Sequence, residues 1–376
     1  DAETLKRVDY SYIKGITQTS FLPDALPLII NGDMKVAQRG TSSTAISSSS
    51  YATCDRWQQQ MGGIGEYTII QEALTTGNAY AAGFNNAWRI DCTTADASPG
   101  ASDYLLLRYD PEGQDIQVFK KGTANAETYT LAFWVKSNKT GVGQVNLRDI
   151  DNSRLCSATY TISSGDTWEH KVLNYAADTT GHINDDATSS IAIEFWLDSG
   201  SNYNSGTAPT AWEANADANR DASGALAIAD NTANDWAITG VQWEVGTYTS
   251  SDLPPFRFES YGDNLQRCQR YYYKLTAVAN TPFFSGVVSS TTVARPTITH
   301  PQIMRDAPTL GHAGGTLFKA YCGGINVDST SLEFYYPTVA KALGYVSTAG
   351  GLTDGQGMLL IDDGSGTATI TGDAEL

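Results

Sequence analysis

Alternation of apolar and polar side chains over short segments is the feature that most constrains how this chain folds. It is clearest in three segments, YTLAFWVK (129–136), IAIEFWLD (191–198) and ITGVQWEV (238–245). A period of two is typical of antiparallel strands that bury one face. Stretches rich in Gly, Asn and Ser separate these segments. Residues 28–252 are therefore predicted to form an antiparallel, jelly-roll-like β-sandwich.

The regions on either side of the predicted sandwich have other patterns. Near the N-terminus, four apolar residues fall on one helical stripe: Leu5, Val8, Tyr12 and Ile16. Residues 1–27 are predicted to form a short amphipathic helix and a proline-containing linker. Because such a helix is too short to be stable alone, it is either an attachment element or a frayed terminus. Residues 253–376 return to short strand-like segments, which predict a smaller β-rich domain and an all-β fold class.

Three segments depart from the strand pattern. Residues 41–53 are rich in Ser and Thr and are predicted to be a loop. Residues 199–235 form a long excursion of low complexity, and loops of that length are usually functional or mobile. The segment SYGDNLQRCQRYYY (260–273) predicts a short helix. The stripe expected on that helix consists of Leu265, Cys268 and Tyr272.

Charge and cysteine usage exclude several classes of protein. The 376 residues include 24 Lys and Arg against 41 Asp and Glu, a formal net charge of −17. An acidic surface repels phosphate backbones, so we expect no nucleic-acid binding. We expect no membrane insertion and no secretory signal, because the sequence has neither a long apolar run nor a basic leader followed by one. Five scattered cysteines without zinc-type spacing predict five free, buried thiols.

No residue pattern indicates catalysis. The four histidines belong to no HExxH or GxSxG motif, and no phosphate-binding glycine loop follows a strand. Glycan hydrolysis needs two carboxyl groups roughly 5–9 Å apart. The candidate pairs do not stand out among 41 acids: Asp185 with Asp186, Asp362 with Asp363, and Glu194 with Asp198. The chain is therefore predicted not to be an enzyme.

One segment has a partial likeness to a calcium loop. DANRDASG places Asp217, Asn219 and Asp221 at alternate positions, as the oxygen ligands of such a loop are placed. The glycine comes two residues late, and Ile228 stands where a bidentate glutamate is expected. A solvated turn is the favoured interpretation and a structural calcium ion is the alternative. No other cofactor is expected.

Three aromatic residues are candidates for glycan binding. Trp134 and Trp196 lie opposite the aliphatic stripe of their strands, and Tyr203 lies in the long excursion. A flat ring beside polar groups can stack on the apolar face of a sugar. Packing of both tryptophans in a sandwich covered on two sides, or against another subunit, is the favoured alternative.

Several motifs together resemble a known family. They are LIINGDMKVAQRG (28–40), CDRW (54–57), ITGVQWEVG (238–246), PFRFESYGDNLQRCQRYYYK (255–274), HPQIMRDAPT (300–309) and the final DAEL (373–376). This series is similar to tailed-bacteriophage fibre proteins and their prophage-encoded relatives. The resemblance implies that a sandwich like a carbohydrate-binding module occupies residues 28–252. From the residues alone, we interpret these motifs as packing determinants rather than ligand contacts.

The combined prediction is a bacteriophage virion protein, a tail fibre or appendage that adheres to the host by binding surface glycan. Its expected partners are itself, as a homotrimer, other virion proteins through the N-terminal segment, and the host glycan receptor. Its expected location is the virion surface, outside the cell when it acts. Two alternatives remain: a capsid-decorating head fibre with a mainly structural role, and a glycan-binding module of a polysaccharide-degrading enzyme.

Overall fold

The fold is all-β, as predicted. The computed structural model describes residues 26–222, 226–313 and 315–376. The predicted N-terminal helix lies outside these residues. The described chain divides into two compact units. The first comprises residues 26–35, Thr41–Ala52 and Trp57–Glu259, and the second comprises Val36–Gly40, Thr53–Arg56 and Ser260–Leu376. The sequence-based limits assumed that each domain is one continuous stretch, whereas the second unit takes two short segments from the N-terminal half.

The first unit is a sandwich of two six-stranded antiparallel sheets. Its strands, among the described residues, are β1 (Ser42–Ile46), β2 (Trp57–Gly62), β3 (Glu66–Ala73), β4 (Asn86–Thr94), β5 (Tyr104–Tyr109), β6 (Tyr129–Lys136), β7 (Gly141–Asp149), β8 (Arg154–Ile162), β9 (Glu169–Tyr175), β10 (Ile191–Ser199), β11 (Glu213–Ala214) and β12 (Asp235–Val245). The strand order is β1-β3-β4-β12-β6-β9 in the first sheet and β11-β8-β7-β10-β5-β2 in the second. Two short helices accompany them, α1 (Gly77–Ala81) and α2 (Ser201–Asn204).

The main core of the sandwich lies between the two sheets. Tyr129, Leu131, Phe133 and Val135 of β6 are all fully buried, which confirms the predicted apolar face of that strand. Phe133 meets Phe195 of β10 edge-to-face, with ring centroids 5.1 Å apart. This contact joins the inner faces of the two sheets.

Two expectations for the sandwich were wrong. Residues 41–53 were predicted to be a loop, but β1 pairs with β3 inside that segment. Strand β10 was predicted to bury one face, yet all nine of its residues are buried. The second face is covered because the chain from 199 to 222 crosses it. The Gln144 amide donates to the backbone carbonyl groups of Asn219 and Arg220, at 2.9 and 2.8 Å.

The second unit combines a closed six-stranded barrel with a small sheet. Its strands, among the described residues, are β13 (Tyr272–Thr276), β14 (Pro282–Ser290), β15 (Val293–Thr299), β16 (Thr309–Ala313), β17 (Phe318–Cys322), β18 (Ile325–Tyr335), β19 (Lys341–Thr348), β20 (Gly357–Asp362) and β21 (Thr369–Asp373). The barrel order is β14-β15-β19-β18-β17-β20, and the three-stranded sheet has the order β13-β21-β16. This unit is the smaller β-rich part that the sequence predicts.

The predicted helix of this unit is α3 (Tyr261–Gln269). Ser260 caps it, because its side chain accepts a hydrogen bond from the backbone N–H of Asp263 at 3.2 Å. Leu265 and the buried Cys268 lie on the helix, but Tyr272 does not. The predicted stripe was wrong in this last member because Tyr272 pairs with Asp373 in the ladder of β13 and β21.

Motifs that carry the family resemblance meet inside the second unit. The Arg56 guanidinium lies 3.4 Å from the centre of the Tyr271 ring, and the Arg39 guanidinium lies 3.6 Å from the centre of the Tyr272 ring. Arg56 also donates to the Glu375 carboxylate, and Arg39 Nη1 lies 3.3 Å from it. We call Arg39, Asp55, Arg56, Tyr271, Tyr272 and Glu375 the tail cluster. Four motifs far apart in sequence thus build one buried group.

Asp55 lies at the centre of the tail cluster and is fully buried. Burial raises its pKa to about 7, against the opposing effects of Arg39 and of the hydrogen bonds from Gln38. The backbone N–H of Gln38 donates to Asp55 Oδ1 at 3.0 Å, and the Gln38 amide donates to the carbonyl of Tyr272 at 2.7 Å. These bonds tie the segments 36–40 and 53–56 to β13.

The cysteine prediction is confirmed, because all five cysteines are free and buried. None of the helices in the described ranges is long and apolar enough to cross a membrane.

Candidate functional site

The outer face of the second sheet carries polar side chains in register across five strands. In β10, Phe195 points into the core, so Glu194 and Trp196 on either side of it point outward. Cross-strand pairing extends each of them into a row. One row is Gln58, Arg108, Glu194, Asn146 and Ser157, and the other is Gln60, Leu106, Trp196, Gln144 and Thr159. We call the two rows, together with Arg148, Tyr104, Tyr203 and Arg220, the polar face.

Glu194 is the fixed charge of the polar face. Its side chain is fully buried, and its Oε1 lies 2.9 Å from Arg220 Nη2, 2.8 Å from Arg148 Nε and 3.9 Å from Arg108 Nη1. Burial by itself would raise the pKa of Glu194. The three guanidinium groups outweigh burial and hold that pKa below its ordinary value. Glu194 is therefore an ionised anchor for three arginine side chains at neutral pH.

The aromatic side chains form a stack at one end of the rows. Trp196 is only 1% exposed, because Tyr203 and Arg220 cover it. The Tyr203 ring centroid is 5.2 Å from that of Trp196 and 5.6 Å from that of Tyr104. The Arg220 guanidinium lies 4.8 Å from the Trp196 ring centre. A ligand therefore meets Tyr203 first, and the glycan contact predicted for Trp196 stays a prediction that depends on the side chains above it.

Trp134 lies on the other sheet, so the structure does not bring it together with Trp196 and Tyr203. Its side chain is half-buried and lies against the ring of His170, with centroids 5.0 Å apart. It also packs on a small apolar cluster that includes Phe84 and Trp168. Burial lowers the pKa of His170. This environment agrees with the packing alternative for Trp134.

The predicted calcium ligands each have protein partners. Asp217 Oδ1 lies 3.4 Å from Arg220 Nη1, and the Asn219 side-chain oxygen Oδ1 accepts from the backbone N–H of Thr207 at 3.0 Å. Asp221 accepts a hydrogen bond from the Ser199 hydroxyl at 2.7 Å. Among the described residues, no three His, Cys, Asp or Glu side chains form a group that could hold a metal ion. Calcium binding stays a prediction.

One buried carboxyl group, Asp198, lies at the end of β10, and a second, Asp221, lies in the long excursion. Burial raises the pKa of Asp221 to about 7 and that of Asp198 to about 6. The charge of Asp198 further raises the pKa of Asp221, and the charge of Asp230 further raises that of Asp198. A raised pKa means that the folded protein holds a proton that the unfolded chain releases. The stability from these protons is complete below about pH 4. It is lost as the pH rises through the range 6–7.

We expect Asp221→Asn to stabilise the first unit at pH 8 and to leave it nearly unchanged at pH 4. The amide oxygen keeps the hydrogen bond from Ser199 and removes the buried charge, a gain of roughly 2–4 kcal/mol at pH 8. Chemical unfolding of both proteins at the two pH values measures it. Asp217→Asn is the control, since that carboxylate is exposed and its replacement should change stability by less than about 1 kcal/mol. An equal gain at both pH values would contradict the assignment.

Sequence reasoning missed the arginines and amides of the polar face. The signal was present in GVGQVNLRD, where Gln144, Asn146 and Arg148 alternate with Val145 and Leu147. Uncharged planar amides and arginine at a period of two indicate an outer face that forms hydrogen bonds rather than one that is merely solvated. Nothing in the local sequence indicates that Arg220, from the excursion, returns to Glu194.

Comparisons with known proteins give similarities of structure only. No protein-family model matches the chain, and no curated protein matches it. Among solved structures, the enzymatically active domain of tailspike protein 4 of bacteriophage CBA120 is similar at 11% identity and a TM-score of 0.28, over 58% of this chain and 21% of that one. Modules from Clostridium thermocellum are also similar. The family 11 carbohydrate-binding module of a cellulosomal cellulase matches at 7% identity and a TM-score of 0.26, over 55% of this chain and 99% of that one. Xylanase 10B, in a complex with xylohexaose, matches at 14% identity and a TM-score of 0.28, over 51% and 26%. At these TM-scores the similarities carry no functional argument, so the function proposed below rests on the side chains and sequence motifs of this chain.

Proposed function

We propose that this chain binds glycan and that the polar face is where the glycan lies. The observation that supports this most is the alignment of amide and guanidinium side chains on neighbouring strands, next to the partly exposed rings of Tyr104 and Tyr203. Gln58 and Gln60 of β2 are partly exposed, as are Tyr104 and Tyr203. A sugar offers hydroxyl groups around its ring and apolar C–H faces above and below it. The partly exposed amides of Gln58 and Gln60 and the Arg148 guanidinium match the hydroxyls, and a tyrosine ring matches the C–H face.

Rigidity of the polar face supports binding. The Gln60 side-chain amide donates to the Gln58 side-chain oxygen Oε1 at 2.8 Å, and Arg108 donates two hydrogen bonds to the Asp110 carboxylate, at 2.6 and 2.8 Å. Side chains held this way lose little conformational entropy when a ligand arrives. Arg148 keeps 25% of its side-chain area exposed, against 12% for Arg108 and Arg220, and is the most exposed arginine of the polar face.

We propose binding without cleavage. Hydrolysis of a glycosidic bond requires one carboxylic acid that is protonated at working pH and a second carboxylate nearby. Glu194 has a lowered pKa and is fixed by three arginines, so it is a poor proton donor at neutral pH. Asp110, the carboxylate that pairs with Arg108 beside the polar face, also accepts a hydrogen bond from the Ser189 hydroxyl.

We propose further that the glycan is a surface polysaccharide of a bacterial host and that the chain belongs to a bacteriophage virion as a tail fibre or appendage. The motif series described above supports this assignment. The acidic sequence, in which we recognise no catalytic motif, agrees with an adhesive role. A homotrimer would present three copies of the polar face, and several weak contacts at once give a strong attachment. The location would be the virion surface.

We expect Tyr203→Ala to reduce glycan affinity about tenfold, because it removes the outermost ring of the stack. The full chain would be screened on an array of bacterial surface polysaccharide fragments, and the variant titrated with the tightest binder. Tyr80→Ala is the matched control, since Tyr80 is a 43% exposed tyrosine on α1, outside the polar face.

Three results would overturn parts of the proposal. Equal affinity of Tyr203→Ala and wild type would remove the glycan from the polar face. Shortening of the bound polysaccharide would favour the enzyme-module alternative. Immunogold labelling of the phage head instead of the tail would favour the capsid-decorating alternative.

A further inference from the structure

A separate cavity opens on the first sheet of the sandwich unit. Its volume is about 360 Å³. It is formed by the end of β3, the turn leading into α1, the end of β6 and the turn before β9. Its walls include Glu72, Asn78, Lys136, Asp166, Thr167 and Trp168. None of these residues belongs to the polar face.

A carboxylate oxygen of a cavity residue has no donor within the described part of the chain. Glu72 Oε1 lies 3.3 Å from Lys136 Nζ and 3.6 Å from Arg89 Nη1. Glu72 Oε2 is buried and accepts no hydrogen bond from any described residue. A buried acceptor without a donor costs about 1–3 kcal/mol, so a ligand donor group that reaches Glu72 Oε2 from the cavity would relieve this cost.

Another wall of the cavity is formed by the indole of Trp168, which neighbouring residues hold in place. Trp168 is 5% exposed. The Asn78 amide donates to its carbonyl at 3.2 Å. Gly77, at φ +90°, brings the turn against the indole, and a Cβ there would lie 3.1 Å from the indole Cδ1. The Lys136 ammonium lies 5.4 Å from the centre of the indole ring. The cavity is therefore pre-formed.

We propose that this cavity binds one residue of a neutral sugar, a hexose-sized polyol. Glu72 Oε2 would accept from its hydroxyl groups, Lys136 would donate to a ring or hydroxyl oxygen, and the indole edge would contact the C–H groups. The charges favour a neutral ligand, because Lys136 and Arg89 lie beside Glu72 and balance it together with Asp166. The threonine hydroxyls of the wall add further donors and acceptors.

The test titrates the full chain with neutral monosaccharides, namely glucose, galactose, mannose, rhamnose and N-acetylglucosamine, by calorimetry and by tryptophan fluorescence. We expect one of them to bind with a Kd on the order of 1 mM, as a ligand of this size with few contacts would. Glu72→Gln should weaken it about tenfold, since a neutral amide replaces the charged acceptor. Trp168→Phe should retain binding but lose most of the fluorescence change.

Two controls separate this site from the polar face. Tyr203→Ala should bind the monosaccharide as wild type does, whereas Glu72→Gln should bind polysaccharide at the polar face normally. Lys136→Met, which keeps the side-chain stem over the indole, should weaken monosaccharide binding even if Glu72→Gln folds poorly. Failure of every neutral sugar to bind at about 100 mM, preference for the cation glucosamine, or unchanged affinity in both Glu72→Gln and Lys136→Met would overturn the proposal.

Discussion

Arg56→Ala is expected to lower the free energy of unfolding of the second unit by about 3–5 kcal/mol. The Arg56 side chain is fully buried. Its removal leaves the Glu375 carboxylate, which is 4% exposed, with the more distant Arg39 as its cation. It also removes the guanidinium stacked on Tyr271. Removing one partner of a buried ion pair lowers stability far more than losing an exposed ion pair does, because the remaining charge stays buried.

Hydrogen exchange of the backbone amides of β21 and chemical unfolding of the full chain measure this loss. Arg89→Ala is the matched control. Arg89 also pairs with carboxylates, at 2.7 Å to Asp91 and 3.1 Å to Asp235, but its side chain is 29% exposed. Because solvent screens such pairs, its replacement should cost less than about 1 kcal/mol. Equal losses in the two variants would show that the tail cluster contributes no more than a surface ion pair.

Local pattern was sufficient to predict the strands. In β6 the side chains of Tyr129, Leu131, Phe133 and Val135 share the buried face because a pleated chain places every second side chain on the same side. The same rule predicted which side of β10 faces the core. It does not predict whether the other side is open, because that depends on a segment elsewhere in the chain. In β10 the covering segment is the excursion that brings Arg220 onto Glu194.

Non-local contacts account for most of what the sequence did not reveal. Motifs around Arg39, Arg56 and Glu375 were interpreted as packing determinants, but their spacing in sequence does not indicate that they meet in one cluster. Likewise, Tyr203 was identified as a candidate from its place in a long loop, whereas its contact with Trp196 depends on how that loop folds back. The cavity beside Glu72 has no sequence signature, since its walls come from three separate segments.

Glu194→Gln is expected to destabilise the first unit by about 3–5 kcal/mol at pH 7 and to abolish glycan binding at the polar face. The amide fills the same space but leaves Arg108, Arg148 and Arg220 without their shared anion, and these three cations then repel one another. Arg220 would move from its place over Trp196, and Tyr203 would lose the support beneath it. Thermal unfolding and titration with the polysaccharide identified on the array measure the two effects.

The pH dependence separates this charge effect from a packing defect. Because the pKa of Glu194 is lowered on folding, its contribution to stability is complete above the ordinary glutamate pKa of about 4.3 and is lost as the pH falls through the lower folded value. The difference in stability between wild type and Glu194→Gln should therefore shrink steadily below about pH 4. Asp217→Asn, which removes an exposed acid 3.4 Å from Arg220, should change stability by less than about 1 kcal/mol at every pH. A Glu194→Gln defect that persists unchanged in acid would mean that the side chain acts by shape, and the three arginines would then need another anion to hold them in place.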